Sequence, residues 1–138
     1  MNQDELYDNW DYGDFPRFKA KIICDMLPRG NPLKLLDVAC GYGQFGLIID
    51  REYYDYVGID FSKEQVKKGK ALGLDIRFMD VSKRWKFPSN HFDIILASEI
   101  LEHVFDTDFF IQECFRVLKD DGILIVSTPN VAELYGRI

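Results

Sequence analysis

The chain has 138 residues, 47% of them hydrophobic and 29% charged, with a formal net charge of −6. That is enough chain for one domain with a packed core, and no apolar run approaches the ~20 residues of a membrane-spanning helix. The acidic balance excludes a nucleic-acid binder of the usual kind, which presents a basic face to displace counterions from phosphates.

From the N-terminus, Met1 to Asp14 is acidic and aromatic. A secretory signal would open basic and continue apolar, so the chain is expected to stay in the cytoplasm. Cys24, Cys40 and Cys114 are an odd number without paired spacing. That fits a reducing compartment better than a disulfide framework or a zinc knuckle. Residues 1–31 read as an aromatic arm (Leu6, Tyr7, Trp10, Tyr12, Phe15) and an amphipathic helix from about Pro16, with Phe18, Ile22 and Met26 on its apolar stripe.

Residues 32–138 read as one core domain of alternating strands and helices. Leu33 to Ala39 is a buried strand that runs into glycines, Gln44 to Glu52 a helix, and Tyr56 to Asp60 a second strand. Ser62 opens a helix to about Leu72 with a capping box to Gln65. Its lysines, Lys63, Lys67, Lys68 and Lys70, read as a solvated face. Asp75 to Met79 and Phe92 to Ala97 are the third and fourth strands. A helix from Thr107 to Leu118 places Ile111, Cys114, Phe115 and Leu118 on one stripe, and Gly122 to Ser127 is a fifth strand halted by Pro129. The pattern predicts an α/β fold: a Rossmann-like, doubly wound parallel sheet in three α/β/α layers. Ligands bind such sheets beyond the carboxyl ends of the strands, where strand order reverses.

Just after the first strand lies Gly41-x-Gly43-x-x-Gly46, a spacing shared with dinucleotide-binding turns. Asp37, four residues before Gly41, separates the alternatives. A carboxylate aimed at this loop repels a diphosphate but suits an ammonium group. S-adenosylmethionine (SAM) carries an amino group and a sulfonium and no phosphate, so the charge favours SAM over NAD. Asp60, at the tip of strand two, can accept from ribose hydroxyls, a contact that NAD and SAM sites share. Asp80, at the tip of strand three, can accept from an adenine amine, with Met79 and Val81 flanking the ring. Cys40 sits at the expected helix start, which lowers a thiol pKa; it also reads simply as a small residue that leaves room for the ligand.

With these residues assembled, the sequence resembles the class I SAM-dependent methyltransferases, particularly the small-molecule enzymes related to the ubiquinone-pathway methyltransferases. The matching segments are LDVACGYGQFG, YVGIDFS, IRFMDVS, FDIILASEILEHV and RVLKDDGILIVSTPN, in order from about Pro32 to Asn130. The resemblance implies that Asp37, Ala39, Cys40, Gly41 and Gly43 surround the methionyl part of SAM. It places Asp60 and Phe61 at the ribose, Asp80 and Val81 at the adenine, and the backbone near Ala97 and Ser98 over the methionyl end. The family sheet has two further strands after the fifth, which this chain is expected to lack. The acceptor site is then left open, or completed by a second copy or a partner chain.

The implied reaction carries a methyl from SAM to an oxygen, nitrogen or carbon of a small-molecule acceptor, leaving S-adenosylhomocysteine, with neither nucleic acid nor membrane as partner. His103, just past strand four, is the candidate general base, while His91 lies at the opposite edge as a surface loop residue. Glu99, Glu102 and His103 share one helical face, an arrangement similar to one that some relatives use for a divalent metal, and a metal here is the weaker reading. Two rivals remain: a non-catalytic or truncated SAM-binding module acting in a complex, and an NAD-dependent oxidoreductase.

Overall fold

A computed structural model of the chain describes residues 17–128; the aromatic arm lies outside them. Helix α1 (Arg17–Met26) precedes strand β1 (Leu33–Val38), a single 3-10 turn (Phe45–Leu47) and β2 (Tyr54–Asp60). Then come α2 (Lys63–Ala71), β3 (Ile76–Phe78), β4 (Phe92–Ser98), a second 3-10 turn (Leu101–His103), α3 (Thr107–Val117) and β5 (Leu118–Ser127). The sheet has the order β3-β2-β1-β4-β5, and every pair is parallel. The expected doubly wound sheet is therefore present, with β1 at its centre.

Two apolar cores cover the two faces of the sheet. Side chains alternate along a strand, so Leu35 of β1 joins Ala20 and Ile23 of α1 and Val66 of α2 in one core. Leu36 and Val38 face the other way, with Phe110, Cys114 and Val117 of α3. A register irregularity between Phe92 and Ile94 puts Phe92 on the α3 face while Ile94 and Leu96 stay on the α1 face. The surplus residues are on β5, where Leu118 to Ile123 spans what Phe92 to Ile94 spans on β4, so β5 bulges there.

Three local expectations are corrected. The helix expected over Gln44–Glu52 is only the turn Phe45–Leu47. Gly46 and the β-branched pair Ile48–Ile49 are poor helix formers, and packing of Phe45, Ile48 and Ile49 into the core outweighs helix propagation. In α1, Phe18, Ile22 and Met26 are exposed at 62%, 55% and 57%, and the buried face is Ala20, Ile23 and Leu27. In α3, Phe115 is exposed, and Glu113, not an apolar residue, shares the buried face with Phe110, Cys114 and Val117. Both helices carry apolar residues on two faces, and periodicity cannot say which one meets the sheet.

Half of the expected capping box is formed: Ser62 Oγ accepts from the Gln65 N–H at 3.3 Å, but the Ser62 N–H goes to Asp60 and not to the Gln65 side chain. No helix among the described residues is long and apolar enough to cross a membrane.

Candidate cofactor site

From β1 the chain winds outward to β2 and β3, then crosses back to β4 on the other flank of β1. The carboxyl ends of β1 and β4 are thus the switch point where such sheets open a crevice. A cleft of about 350 Å³ lies there, lined by Asp37, Ala39, Cys40 and Gly41 from the β1 side and Ser98 and Glu99 from the β4 side. Both strands end in a residue with left-handed backbone, Ala39 at φ 59° and Glu99 at φ 56°. Outside glycine that conformation is strained, and such strain gathers at functional sites.

Asp37 is 4% exposed. Its Oδ2 accepts the Tyr56 hydroxyl at 2.7 Å, and its Oδ1 takes no hydrogen bond from the described residues. Burial pushes its pKa up to about 7; the Tyr56 bond opposes the shift and the nearby Asp60 adds to it. A buried carboxylate with an oxygen free in a cleft is an incomplete ion pair, and an ammonium group completes it. Burial, with Asp37 and Asp60 close by, also drives the Cys40 thiol far above its ordinary range. Cys40 is therefore held as a neutral thiol, which goes with a small residue that leaves room for the ligand and not with a lowered pKa. The long helix that was to lower it is not there.

The glycine loop is held by an acid, Asp60, rather than poised for a phosphate. Asp60 accepts the Gly41 N–H through Oδ2 and the Ser62 N–H through Oδ1, both at 2.8 Å. Gly41, at φ 59°, has room for a Cβ, which would meet only Gln65 Oε1 at 3.8 Å. Gly43, at φ 87°, turns instead into the core, where a Cβ would come within 2.5 Å of Leu74 Cδ1 and 2.7 Å of Ile76 Cδ1. Of the two expected at the ligand, Gly41 lines the cleft, whereas Gly43 packs the loop onto β3.

Beyond the tips of β2 and β3, Phe61 stacks on Phe78 with ring centroids 5.4 Å apart, and both rings are exposed. Asp80 Oδ1 accepts from the Ser82 N–H at 3.0 Å and the Ser82 hydroxyl at 2.6 Å. The hydroxyl bond and then the N–H bond hold its pKa below the usual carboxylate value. Val81 is half-buried. Met79, expected to flank a ring with Val81, is buried against the α3-side core instead. Ala97 is fully buried between Val38 and Val126 in the sheet, while Ser98 reaches the cleft and its hydroxyl meets that of Ser127 at 2.8 Å.

The three residues of the metal reading diverge. Glu99 Oε1 takes Lys19 Nζ of α1 at 2.5 Å and the Ser127 hydroxyl at 3.2 Å. His103 lies outside the cleft, its side chain 73% exposed, with Nε2 3.6 Å from Glu102. Among the described residues no cluster of three or more His, Cys, Asp or Glu side chains gathers as a metal site. His91 does lie at the opposite edge, but it is half-buried, edge-on to the Phe92 ring with centroids 4.8 Å apart.

Sequence reading missed Tyr56, Phe78 and Lys19. The signal for Tyr56 was its place in a strand two residues before the register partner of Asp37, Gly58, on the same face. The contact from Lys19 spans 80 residues and left no local trace.

A family model described as a methyltransferase domain matches residues 36–126. The ubiquinone biosynthesis O-methyltransferase of Pelagibacter ubique is 38% identical over 81% of this chain and 50% of its own length. The chain thus spans about half the length of that relative. Among solved structures, the PH0226 protein of Pyrococcus horikoshii has a TM-score of 0.76 at 21% identity, over 96% of this chain and 69% of its own. The [4+2]-cyclase SpnF has a TM-score of 0.71 at 30% identity, over 80% of this chain and 44% of its own. By the family match over most of its described length, and by the sheet order and switch-point cleft that go with it, the chain belongs to the class I SAM-dependent methyltransferases.

Proposed function

We propose that this domain binds SAM in the switch-point cleft and transfers its methyl group to a small-molecule acceptor. The observation that carries the reading is the buried Asp37 carboxylate, which lines the cleft and takes a hydrogen bond from the described residues on one oxygen only. In this reading Asp37 takes the methionyl amino group, with Ala39, Cys40, Gly41 and Ser98 along the methionyl chain. Asp60 and Phe61 hold the ribose, and Asp80 and Val81 read the adenine. SAM supplies an already activated methyl. The chain's task is to align acceptor and sulfonium and to exclude water, and alignment of this kind is worth ~7 kcal/mol or more of barrier.

The likeness to the Pelagibacter relative supports a hydroxyl-bearing acceptor of the ring type that its name indicates. For such an acceptor His103 is proposed as the general base, reaching the site only when the acceptor side closes over it. Cytoplasmic placement rests on the cysteine usage, and a second copy or partner completing the acceptor side belongs to the same proposal.

The test is isothermal titration with SAM, S-adenosylhomocysteine and NAD, followed by a screen of hydroxylated aromatic acceptors for S-adenosylhomocysteine release. The reading expects heat with the first two ligands and none with NAD. Heat with NAD alone overturns it. His103→Ala should lower turnover without weakening SAM binding, and size-exclusion chromatography with mass measurement reads the oligomeric state.

A further inference from the structure

The segment from Val81 to Asn90 has neither helix nor strand, yet it carries two of the buried aromatic side chains, Trp85 and Phe87. It is held by one buried ion pair on α3. Glu113 is 5% exposed; its Oε1 takes Arg116 Nε at 2.7 Å and its Oε2 takes Arg116 Nη2 at 2.8 Å. Both partners then reach the loop. Glu113 Oε2 accepts the Trp85 N–H at 2.8 Å, and Arg116 donates to the Phe87 and Trp85 carbonyls, each at 2.9 Å. A forked guanidinium suits this task, since it satisfies a carboxylate and two carbonyls in fixed geometry.

The chain of contacts continues to the cofactor end. The Trp85 indole N–H donates to the Val81 carbonyl at 3.1 Å, while the ring packs edge-on against Phe110. Val81 follows Asp80 directly. The Val81 N–H donates to none of the described residues, and Asp80 Oδ2 is 3.9 Å from Lys83 Nζ, beyond hydrogen-bond reach. Side by side, these offer one donor and one acceptor. The edge of adenine presents the complement, an acceptor at N1 and a donor at the exocyclic amine.

We propose that Trp85, Glu113 and Arg116 are positioning residues that set the Val81 peptide for reading this edge, so that base selectivity is governed from α3. This rests on the SAM reading above and goes beyond it, since none of the three lines the cleft. The indole bond and the Ser82 N–H to Asp80 bond together fix the peptide that follows Val81; without the indole donor only the Asp80 tie is left, and the turn that carries the Val81 N–H beside Asp80 loosens.

The probe is S-inosylhomocysteine, which replaces the amine by a carbonyl and makes N1 a donor, mismatching both groups. Full-chain wild type should bind S-adenosylhomocysteine at least tenfold more tightly than the inosyl analogue. Trp85→Phe keeps a ring in the core and removes the donor. It should weaken S-adenosylhomocysteine about five- to tenfold and leave the analogue within twofold, collapsing the ratio. Hydrogen exchange of the bonded loop amides, Ser82, Lys83 and Trp85, should quicken while β1 amides stay protected. If Trp85→Phe fails to fold, Arg116→Lys is read by the same ratio, as it keeps the charge and loses the fork. An equal loss of both ligands, or an unchanged ratio, overturns the proposal. Wild type binding neither ligand overturns the SAM reading and the clamp with it, and so is distinct from a clamp that fails alone.

Discussion

The Tyr56 hydroxyl donates to Asp37 across neighbouring strands at 2.7 Å, and among the described residues this is the one side-chain bond that steadies a carboxylate buried at the cleft. Burial lifts the Asp37 pKa to about 7 and the tyrosine restrains it. The site is thus tuned so that the acid titrates close to neutrality when no cation faces it.

Binding of a cationic cofactor should therefore be linked to proton release. Below pH 7 the protonated Asp37 must ionise before it can pair, so the dissociation constant for SAM should rise by up to about tenfold per pH unit on acidification. Above pH 7 it should level off. Titration calorimetry across pH, in buffers of differing ionisation enthalpy, measures the proton released. A flat profile from pH 5.5 to 8 contradicts the assignment.

Tyr56→Phe keeps the ring in the core and deletes the donor. A hydrogen bond to a charged group is worth about 1.5–3 kcal/mol, so the Asp37 pKa should climb by roughly one to two units. The pH at which SAM binding weakens should move alkaline by the same interval. A pH series of dissociation constants for the variant beside wild type checks it.

The same carboxylate should cost stability. Its folded pKa, about 7, lies above its model value of 3.8, so the ligand-free fold takes up protons between them. Stability from this group is complete below pH 4, falls as pH rises through 7, and is then constant. At ~1.4 kcal/mol per unit the loss is on the order of 4 kcal/mol. Asp37→Asn should be more stable than wild type by about 2–4 kcal/mol at pH 8 and close to it at pH 4, while losing SAM binding. Urea unfolding at the two pH values decides the sign.

Gly41→Ala and Gly43→Ala separate two uses of glycine. Both need a left-handed backbone, costing an alanine about 1–2 kcal/mol. Only Gly43 faces Leu74 and Ile76 at clash distance, adding about 1–3 kcal/mol of overpacking. Gly43→Ala should be the less stable variant by urea midpoint, and Gly41→Ala the one whose loss shows mainly in cofactor affinity.

The sequence by itself determined the parallel sheet, the order of its elements, the Ser62 cap and the acids at the tips of β1, β2 and β3. Each is written in a local signal: a run of apolar residues, a cap spacing, a carboxylate where a strand stops. It could not decide which apolar face of α1 or α3 turns inward, since Phe18 and Ile23 are equally hydrophobic in print and only the sheet's position selects between them. It placed Gly41 and Gly43 together, and only the packing of Leu74 and Ile76 sends one to the cleft and the other to the core. The ionisation of Asp37, the Lys19–Glu99 pair and the Glu113–Arg116 hold on the Val81 loop likewise belong to tertiary structure. Desolvation and long-range contact come from what surrounds a residue in space, and neighbours along the chain do not supply it.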